Sequence, residues 1–495
     1  MRCHLIIIAS LLLTMLPASG RPLAAHALPA DSPLHVETCS VPGGGETMLC
    51  GTLEVWENRQ TRAGRRIPIH LVLLEATGEH PAASPLVVVA GGPGQAATTF
   101  VPFLANDSLR ARYDILLVDQ RGTGGSNPLQ CTLEGSDEDL QGFLQGAFPE
   151  AAVFERCRRE LSLKADLAHY SSLDAAHDLD EVRAALGYAR LNLAGGSYGT
   201  RASLVYMREY PERVRAATLN GVAPISFENP LYHARAAQRA LDLIFAECRN
   251  DPACFAAFGD PAKDFREVAA RLRGKPAQIT IDHPSREEKV TLRLDQESFF
   301  EGVRTFMYSV RRNRRLPMVL DRAAKGELEP LLMATLMSTR GIQEILHWGM
   351  LLSVTCSEDV DRISEEEIMR ETEGTFLGDR RVREQKAACA GWPRSPLPPD
   401  WAEDVSVDVP TLLFSGTLDP VTPPEFGELA ARHLPKSLHI VAPGGHGVGG
   451  PCLDSIAKRF LETARVDTLD TSCVADLELP PFVLEDAEND ASRDR

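Results

Sequence analysis

The sequence predicts an α/β protein built on a mostly parallel, doubly wound sheet that carries an inserted, mainly helical segment. Short continuous apolar runs at Leu86–Val89 and Ile115–Val118 are typical of strands buried on both faces of a parallel sheet. Residues 191–219 follow the order strand, turn, helix, strand, which is the unit of such a sheet. A long stretch of helical periodicity then separates these runs from two later ones, Thr411–Phe414 and Leu438–Val441.

The elements on either side of the parallel strands have local signals of their own. The alternating segments Cys50–Trp56 and Arg66–Leu74 predict two antiparallel strands at one edge of the sheet. Ser172 is predicted to cap a helix that ends at Gly187, and Leu191–Ala194 is the buried strand that follows it.

The 495 residues divide into five regions by these patterns. The change to helical periodicity after the fourth parallel strand indicates a cap inserted between two strands of the sheet, and the last dozen residues are acidic and weakly apolar. We predict a signal peptide over 1–27, an N-terminal core part over 28–223, a helical cap over 224–400, a C-terminal core part over 401–480 and an acidic tail over 481–495.

The N-terminus has the pattern of an export signal. A short basic head precedes an apolar stretch from Leu5 to Leu16, and small residues follow at Ala18 and Ala25. The apolar stretch is short for a membrane span, and an uncleaved N-terminal anchor is the alternative. We therefore expect a protein that is secreted or periplasmic and has no stable membrane insertion.

Charge and cysteine content agree with that compartment. A formal net charge of −17 argues against nucleic acid or an anionic membrane as the main partner, and it favours a cationic group on the substrate. Beyond Cys3, ten cysteines remain, an even number suited to disulfides in an oxidising compartment. A zinc site is the weaker alternative because the close spacing that metal sites use is missing. Sequence does not determine connectivity, but chain order suggests the pairs Cys39–Cys50, Cys131–Cys157, Cys248–Cys254, Cys356–Cys389 and Cys452–Cys473.

A tight turn between a buried strand and a helix carries the candidate nucleophile. Residues 195–199 read Gly-Gly-Ser-Tyr-Gly and place Ser197 where glycines leave room for the turn. The N-terminus of the following helix offers backbone N–H groups to a developing oxyanion. The position of the motif indicates nucleophilic catalysis by Ser197.

A serine nucleophile needs a base, and the base needs a carboxylate that orients it. Asp419 follows the strand Thr411–Phe414, and His446 follows the strand Leu438–Val441. The order Ser, Asp, His is the one that this arrangement uses. The alternatives are a turn-forming Asp419 before a proline and a His446 that is only a loop residue. Thr422 is expected to hydrogen-bond within the loop of Asp419.

The turn after the first parallel strand is the candidate for the second oxyanion donor. Residues 91–94 read Gly-Gly-Pro-Gly, and we assign the oxyanion hole to the N–H groups of Gly92 and Tyr198. A Gly-Pro turn without a catalytic role is the alternative. Asp119 and Arg121, in the next glycine-rich turn, are interpreted as supports for loops near the pocket. Neither turn carries a dinucleotide or phosphate motif, so no cofactor and no metal are expected.

Together these motifs resemble one branch of a known superfamily. The motifs at 91–94, 119–126, 195–200, 416–423 and 444–447 read GGPG, DQRGTGGS, GGSYGT, GTLDPVTP and GGHG. They are similar to the tripeptidyl aminopeptidase and proline iminopeptidase (TAP-like) branch of the α/β hydrolases, over about residues 45–475. The resemblance implies an α/β-hydrolase fold and a serine exopeptidase that acts on peptides with free N-termini. Ala90 stands where proline iminopeptidases have histidine, which favours the tripeptidyl side.

The resemblance also implies a carboxylate in the cap that binds the substrate amine. Glu358 and Asp359 follow Cys356 in a stretch like one of the tripeptidyl branch, and they are the candidates for that role. Surface acids exposed to solvent are the alternative.

Two other functions remain compatible with the motifs. A secreted carboxylesterase or lipid-ester hydrolase uses the same scaffold, and a wholly apolar pocket would favour it. A non-catalytic binding protein that retains the fold is the second alternative. The sequence indicates neither the number of residues removed nor the oligomeric state.

Overall fold

The computed structural model describes residues 28–40, 48–144 and 148–485. The predicted signal peptide at 1–27 and residues 486–495 of the predicted tail lie outside the described residues. None of the helices in these three ranges combines the length and the apolar character that crossing a bilayer requires.

Strands and helices alternate at both ends of the chain, and helices dominate its middle. The strands are β1 (His35–Cys39), β2 (Met48–Trp56), β3 (Arg66–Leu74), β4 (Leu86–Val89), β5 (Ile115–Val118), β6 (Leu191–Gly196), β7 (Val214–Asn220), β8 (Ala277–Asp282), β9 (Lys289–Leu294), β10 (Thr411–Gly416) and β11 (Ser437–Ala442). The α-helices are α1 (Val101–Leu104), α2 (Ala151–Leu161), α3 (Ser172–Ala185), α4 (Tyr198–Glu209), α5 (His233–Asn250), α6 (Pro252–Phe258), α7 (Pro261–Leu272), α8 (Gln296–Phe306), α9 (Val310–Asn313), α10 (Leu316–Ala324), α11 (Glu329–Ile345), α12 (Trp348–Glu358), α13 (Glu365–Thr372), α14 (Arg380–Cys389), α15 (Pro424–His433) and α16 (Pro451–Thr463).

Most of these strands belong to one sheet. Among the described residues its order is β1-β2-β3-β5-β4-β6-β7-β10-β11. The strands from β5 to β11 in that order are parallel, and β1 to β3 form an antiparallel edge. The predicted α/β class with a mostly parallel sheet is confirmed. Because parallel strands end at the same edge, the turns after β4, β6, β10 and β11 meet there.

The helical segment leaves the sheet between two neighbouring strands. β7 ends at Asn220, β10 begins at Thr411, and the two strands pair with Ala217 opposite Thr411. The chain between them contains α5 to α14 and the antiparallel hairpin β8–β9, which the sequence analysis did not predict. The predicted limits of the cap at 224 and 400 stay a prediction.

Hydrophobic packing joins the insertion to the sheet. One cluster contains sheet residues together with Leu352 and Trp392 of the insertion. A second cluster lies mainly within the insertion and also includes Phe143, which lies in the segment between β5 and β6. The inward residues of the unpredicted hairpin, Ile281 and Leu292, belong to this second cluster, which explains why the hairpin forms there.

Candidate active site

The turn from β6 to α4 holds Ser197 in a backbone conformation that few residues adopt. Its φ is 54° and its ψ is −126°, and its N–H donates to the carbonyl of Asn220. Gly195 and Gly199, two residues before and after it, are sterically required. A Cβ on Gly195 would lie 2.5 Å from the carbonyl oxygen of Gly199, and one on Gly199 would lie 2.1 Å from that of Val89. The tight packing forces the Ser197 hydroxyl outward at the edge of the sheet.

Three distant segments converge on this hydroxyl. His446 Nε2 lies 2.9 Å from Ser197 Oγ. His446 Nδ1 lies 3.0 and 2.9 Å from the two carboxylate oxygens of Asp419. The structure therefore brings the three predicted residues into contact in the order that a nucleophile, a base and an orienting carboxylate would require.

The loops around the acid and the base are held by further contacts. Asp419 is fully buried, and its carboxylate accepts hydrogen bonds from the N–H groups of Val421 and Thr422 and from the Thr422 hydroxyl, at 2.8 to 2.9 Å. The backbone N–H of His446 donates to the backbone carbonyl of Tyr308 at 2.8 Å. The Tyr308 ring packs edge-on against the imidazole, with the ring centroids 5.0 Å apart. Tyr308 belongs to the insertion, and no motif in the sequence indicated its role.

Both predicted oxyanion donors lie beside the nucleophile. Tyr198 is the first residue of α4, so no carbonyl of the helix accepts its N–H. The Gly91-Gly92 turn approaches so closely that a Cβ on Gly91 would lie 3.4 Å from the Ser197 Cβ. Gly92 has a φ of 113°, a conformation that favours glycine. Both Gly92 and Tyr198 line the same cavity as Ser197.

One end of α12 supports the turn that contains Gly92. His347 immediately precedes this helix, and its Nδ1 lies 2.9 Å from the Gly94 carbonyl. Its Nε2 accepts the N–H of Gly124 at 3.2 Å. These contacts assign a neutral ring with the proton on Nδ1. Burial agrees, because it lowers the pKa of His347.

The other end of α12 supports Tyr198. Glu358 accepts hydrogen bonds from the N–H and the hydroxyl of Ser172, at 2.6 and 2.9 Å. The Ser172 hydroxyl also lies 2.8 Å from the phenol of Tyr198. Ser172 is free for these contacts because Ser171, and not Ser172 as predicted, caps α3 through a reciprocal pair with Asp174.

Glu358 and Asp359 do not lie on the wall of the active-site cavity. Both side chains are 0% exposed, so the alternative of solvent-exposed acids does not hold either. Asp359 accepts two hydrogen bonds from Arg201 Nη1, at 2.7 and 2.9 Å. The sequence analysis placed these acids at the substrate amine. The structure instead buries them as the partners of Ser172 and Arg201, because α12 packs inside the main hydrophobic cluster.

The cavity in front of Ser197 has a volume of about 260 Å³ and is enclosed in part by the insertion. Its walls are mostly apolar. The apolar lining includes Ala223, Phe227, Ile342, Ile345, Leu346 and Val421, and the polar lining includes Gln95, Arg201, Asn229, His233, Tyr308 and Thr422.

The turn that contains Asp119 and Arg121 has a supporting role. Asp119 accepts hydrogen bonds from the Thr98 N–H, the Thr98 hydroxyl and the Gly125 N–H, at 2.9 to 3.1 Å. Arg121 is fully buried and makes a bidentate pair with Asp178, at 2.6 and 2.8 Å. Neither residue lines the cavity, so both stabilise the loops behind it.

Within residues 28–40, 48–144 and 148–485, the cysteines form five disulfides. The bridges join the pairs suggested above by chain order, Cys39–Cys50, Cys131–Cys157, Cys248–Cys254, Cys356–Cys389 and Cys452–Cys473. In the part of the chain that the structure describes, no three His, Cys, Asp or Glu side chains are grouped as a metal ion would require.

Comparison with known proteins gives two family matches. The family described as "alpha/beta hydrolase fold" matches residues 84–254, and the family described as "TAP-like protein" matches residues 375–473. The first range contains the parallel strands β4 to β7 and the second contains β10 and β11, whereas the antiparallel edge β1 to β3 lies outside both.

Several characterised proteins are similar over different shares of the chain. The serine protease Hip1 of Mycobacterium tuberculosis is 28% identical over 460 residues, which is 85% of this chain and 86% of that protein. A tripeptidyl aminopeptidase of Streptomyces lividans is 28% identical over 207 residues, 38% of this chain and 37% of that protein. A proline iminopeptidase of Neisseria gonorrhoeae is 27% identical over 154 residues, 31% of this chain and 37% of that protein.

Proposed function

We propose that this chain, which belongs to the TAP-like branch of the α/β hydrolases and is a serine exopeptidase, removes short, tripeptide-like units from the free N-termini of peptides outside the cytoplasm. The observation that carries the proposal is the contact of Ser197, His446 and Asp419 beside a cavity that the insertion encloses in part. A partly enclosed cavity admits the end of a peptide more readily than the middle of a chain.

The proposed reaction proceeds through an acyl-enzyme. His446 Nε2 takes the proton of Ser197 while the Ser197 oxygen attacks the peptide carbonyl. The N–H groups of Gly92 and Tyr198 hold the oxyanion that forms. His446 then gives the proton to the leaving amine, and the C–N bond breaks. Water, activated in the same way, releases the acyl fragment, and Asp419 keeps the imidazole in its orientation throughout.

Similarity and chemistry both support peptides as substrates. Two of the similar proteins carry the names tripeptidyl aminopeptidase and proline iminopeptidase. The polar side chains in its lining, such as Arg201, Asn229 and His233, also distinguish the cavity from the wholly apolar pocket that would favour an esterase. Five disulfides support export, because such bridges persist in oxidising compartments.

The test compares three substrate classes with the purified enzyme and its Ser197→Ala variant. These are tripeptide p-nitroanilides with a free amine, the same anilides with an acetylated amine, and short-chain p-nitrophenyl esters. We expect the free tripeptide anilide to have the highest kcat/KM and the alanine variant to lose turnover of all three. A preference for acetylated peptides would exclude the proposed requirement for a free N-terminus. Turnover of esters alone would favour the carboxylesterase, and an unchanged alanine variant would reject the nucleophile.

A further inference from the structure

We infer that Asn220 is a positioning residue for the proposed reaction, because its side chain holds the loop of His446 at a fixed place relative to Ser197. The inference rests on the proposed function, since it concerns how the nucleophile and the base of that reaction are kept in contact. Asn220 is the last residue of β7. In the sheet, β7 lies between β6, which leads to Ser197, and β10, which leads to Asp419.

The loop that carries His446 consists mostly of glycine. Residues 444–450 read GGHGVGG, so five of the seven residues are glycine. Gly447 and Gly450 have φ values of 85° and 114°, which glycine adopts readily. Glycine loses more conformational freedom on folding than any other residue. The loop therefore needs contacts from other segments to keep the imidazole in one place.

The side chain of Asn220 supplies two such contacts. Its Nδ2 donates to the backbone carbonyl of Val448 at 2.6 Å, and its Oδ1 accepts the backbone N–H of Val448 at 3.0 Å. Val448 lies two residues after His446. Because one planar carboxamide makes both hydrogen bonds to the same residue, it fixes the orientation of that stretch of backbone as well as its position. The contact of His446 with Tyr308 holds the loop from the insertion, and Asn220 holds it from the sheet.

The end of β7 also contacts the segments of the nucleophile and the acid. The backbone carbonyl of Asn220 accepts the N–H of Ser197 at 3.0 Å, so one residue is hydrogen-bonded to the nucleophile and to the loop of the base. The N–H of Gly221 donates to the carbonyl of Phe414 in β10 at 3.0 Å. A Cβ on Gly221 would lie 3.4 Å from His446 Cε1. The end of β7 therefore sets the relative positions of all three segments.

The role of Asn220 is to position the base and not to bind the substrate. The described residues that line the cavity include Ser197 and His446 but not Asn220. Loss of its side-chain contacts would therefore leave the binding surface in place and disturb the 2.9 Å contact between His446 Nε2 and Ser197 Oγ. A reacting group that is misplaced by about 1 Å can cost roughly 100-fold in rate. The effect should thus appear in kcat and not in KM.

The experiment measures kcat and KM for the free-amine trialanine p-nitroanilide and for p-nitrophenyl acetate. Asn220→Leu removes both hydrogen bonds at similar size. Asn220→Asp keeps the shape of the side chain, but a carboxylate cannot donate to the Val448 carbonyl and repels it. Asn58→Leu is the matched control, because Asn58 is also half-buried and holds a loop through two hydrogen bonds. Its Oδ1 accepts the backbone N–H groups of Gln60 and Thr61 at 3.1 and 3.0 Å.

We expect kcat to fall roughly tenfold to 100-fold in Asn220→Leu with both substrates. It should also fall in Asn220→Asp, which has the size of the wild-type side chain and so tests the contact if the leucine variant does not fold. KM for the anilide and the inhibition constant of a product tripeptide should stay within about twofold of the wild-type values, because the cavity is unchanged. Asn58→Leu should retain the wild-type kcat.

Three results would overturn the inference. The first is a wild-type kcat in both Asn220 variants, and the second is a higher KM with an unchanged kcat. The third is an equal loss of kcat in Asn58→Leu, which would indicate general destabilisation. Failure of the proposed function looks different, because the wild type would then hydrolyse p-nitrophenyl acetate and cleave no anilide. The acetate would in that case still measure the effect of Asn220 on the reaction of Ser197.

Discussion

Replacing Glu358 by glutamine is expected to remove a pH dependence from the stability of the folded protein. The carboxyl is fully buried, and burial is the main reason that its pKa rises from the usual 4.5 to about 7. Arg201 lowers this pKa and Asp359 raises it further. The folded protein therefore prefers the protonated carboxyl. The stability that it contributes is present in full below pH 4.5 and is lost as the pH rises through 7.

The size of the effect follows from the shift. A difference of about two to three pKa units corresponds to roughly 3 kcal/mol of unfolding free energy. The glutamine amide resembles the protonated carboxyl, so the variant should lack this contribution to the pH dependence. Urea unfolding of both proteins at pH 4.5 to 8, with the disulfides intact, gives the difference in unfolding free energy at each pH.

Trp392→Phe removes a hydrogen bond to Ser353 on the same helix and introduces no titrating group, so its effect should be constant with pH. The difference between the wild type and the Glu358 variant should instead change by roughly 3 kcal/mol across the range. A difference that is the same at pH 5 and pH 8 would show that this carboxyl does not titrate as its burial requires.

Three further substitutions test the surroundings of the site. Thr422→Val removes a hydroxyl that donates to Asp419, and kcat should fall about tenfold with little change in KM, as measured by steady-state kinetics. His347→Leu removes the contact with Gly94. It should weaken the binding of a peptide boronic acid, which mimics the tetrahedral intermediate, more than the binding of a product-like peptide, as measured by their inhibition constants. Equal weakening of both inhibitors would contradict the role in the oxyanion turn. Ser171→Ala removes the cap of α3 and should lower the unfolding free energy by about 1 kcal/mol, as measured by urea unfolding.

Much of the fold and of the candidate site was predictable because its signals are local. A strand buried on both faces appears as a run such as Ile115–Val118, and the tight turn at Ser197 needs glycines two residues before it and two residues after it. Asp419 and His446 are recognisable because each directly follows such a strand. Their catalytic roles stay a prediction, although the structure places their side chains in contact.

The parts that sequence reasoning missed have no local signal. The hairpin β8–β9 was hidden within a helical stretch, since short alternating runs compete poorly with the helical periodicity around them. Glu358 and Asp359 have the residue types of an amine site, and only the packing of α12 shows that they are buried. Residue type and spacing in the sequence do not reveal whether a carboxylate lines a cavity or pairs with a buried guanidinium.

By itself, the sequence determined the order of strands and turns, the edge of the sheet at which chemistry is possible and the residue types available there. These properties depend on backbone sterics and on burial patterns between neighbouring residues. Only the tertiary structure decided which side chains meet across the insertion. His347 contacts Gly94 over a separation of 253 residues, and Glu358 contacts Ser172 over 186. Such contacts arise when segments that are distant in the sequence pack together. No periodicity or spacing in the amino-acid sequence predicts them.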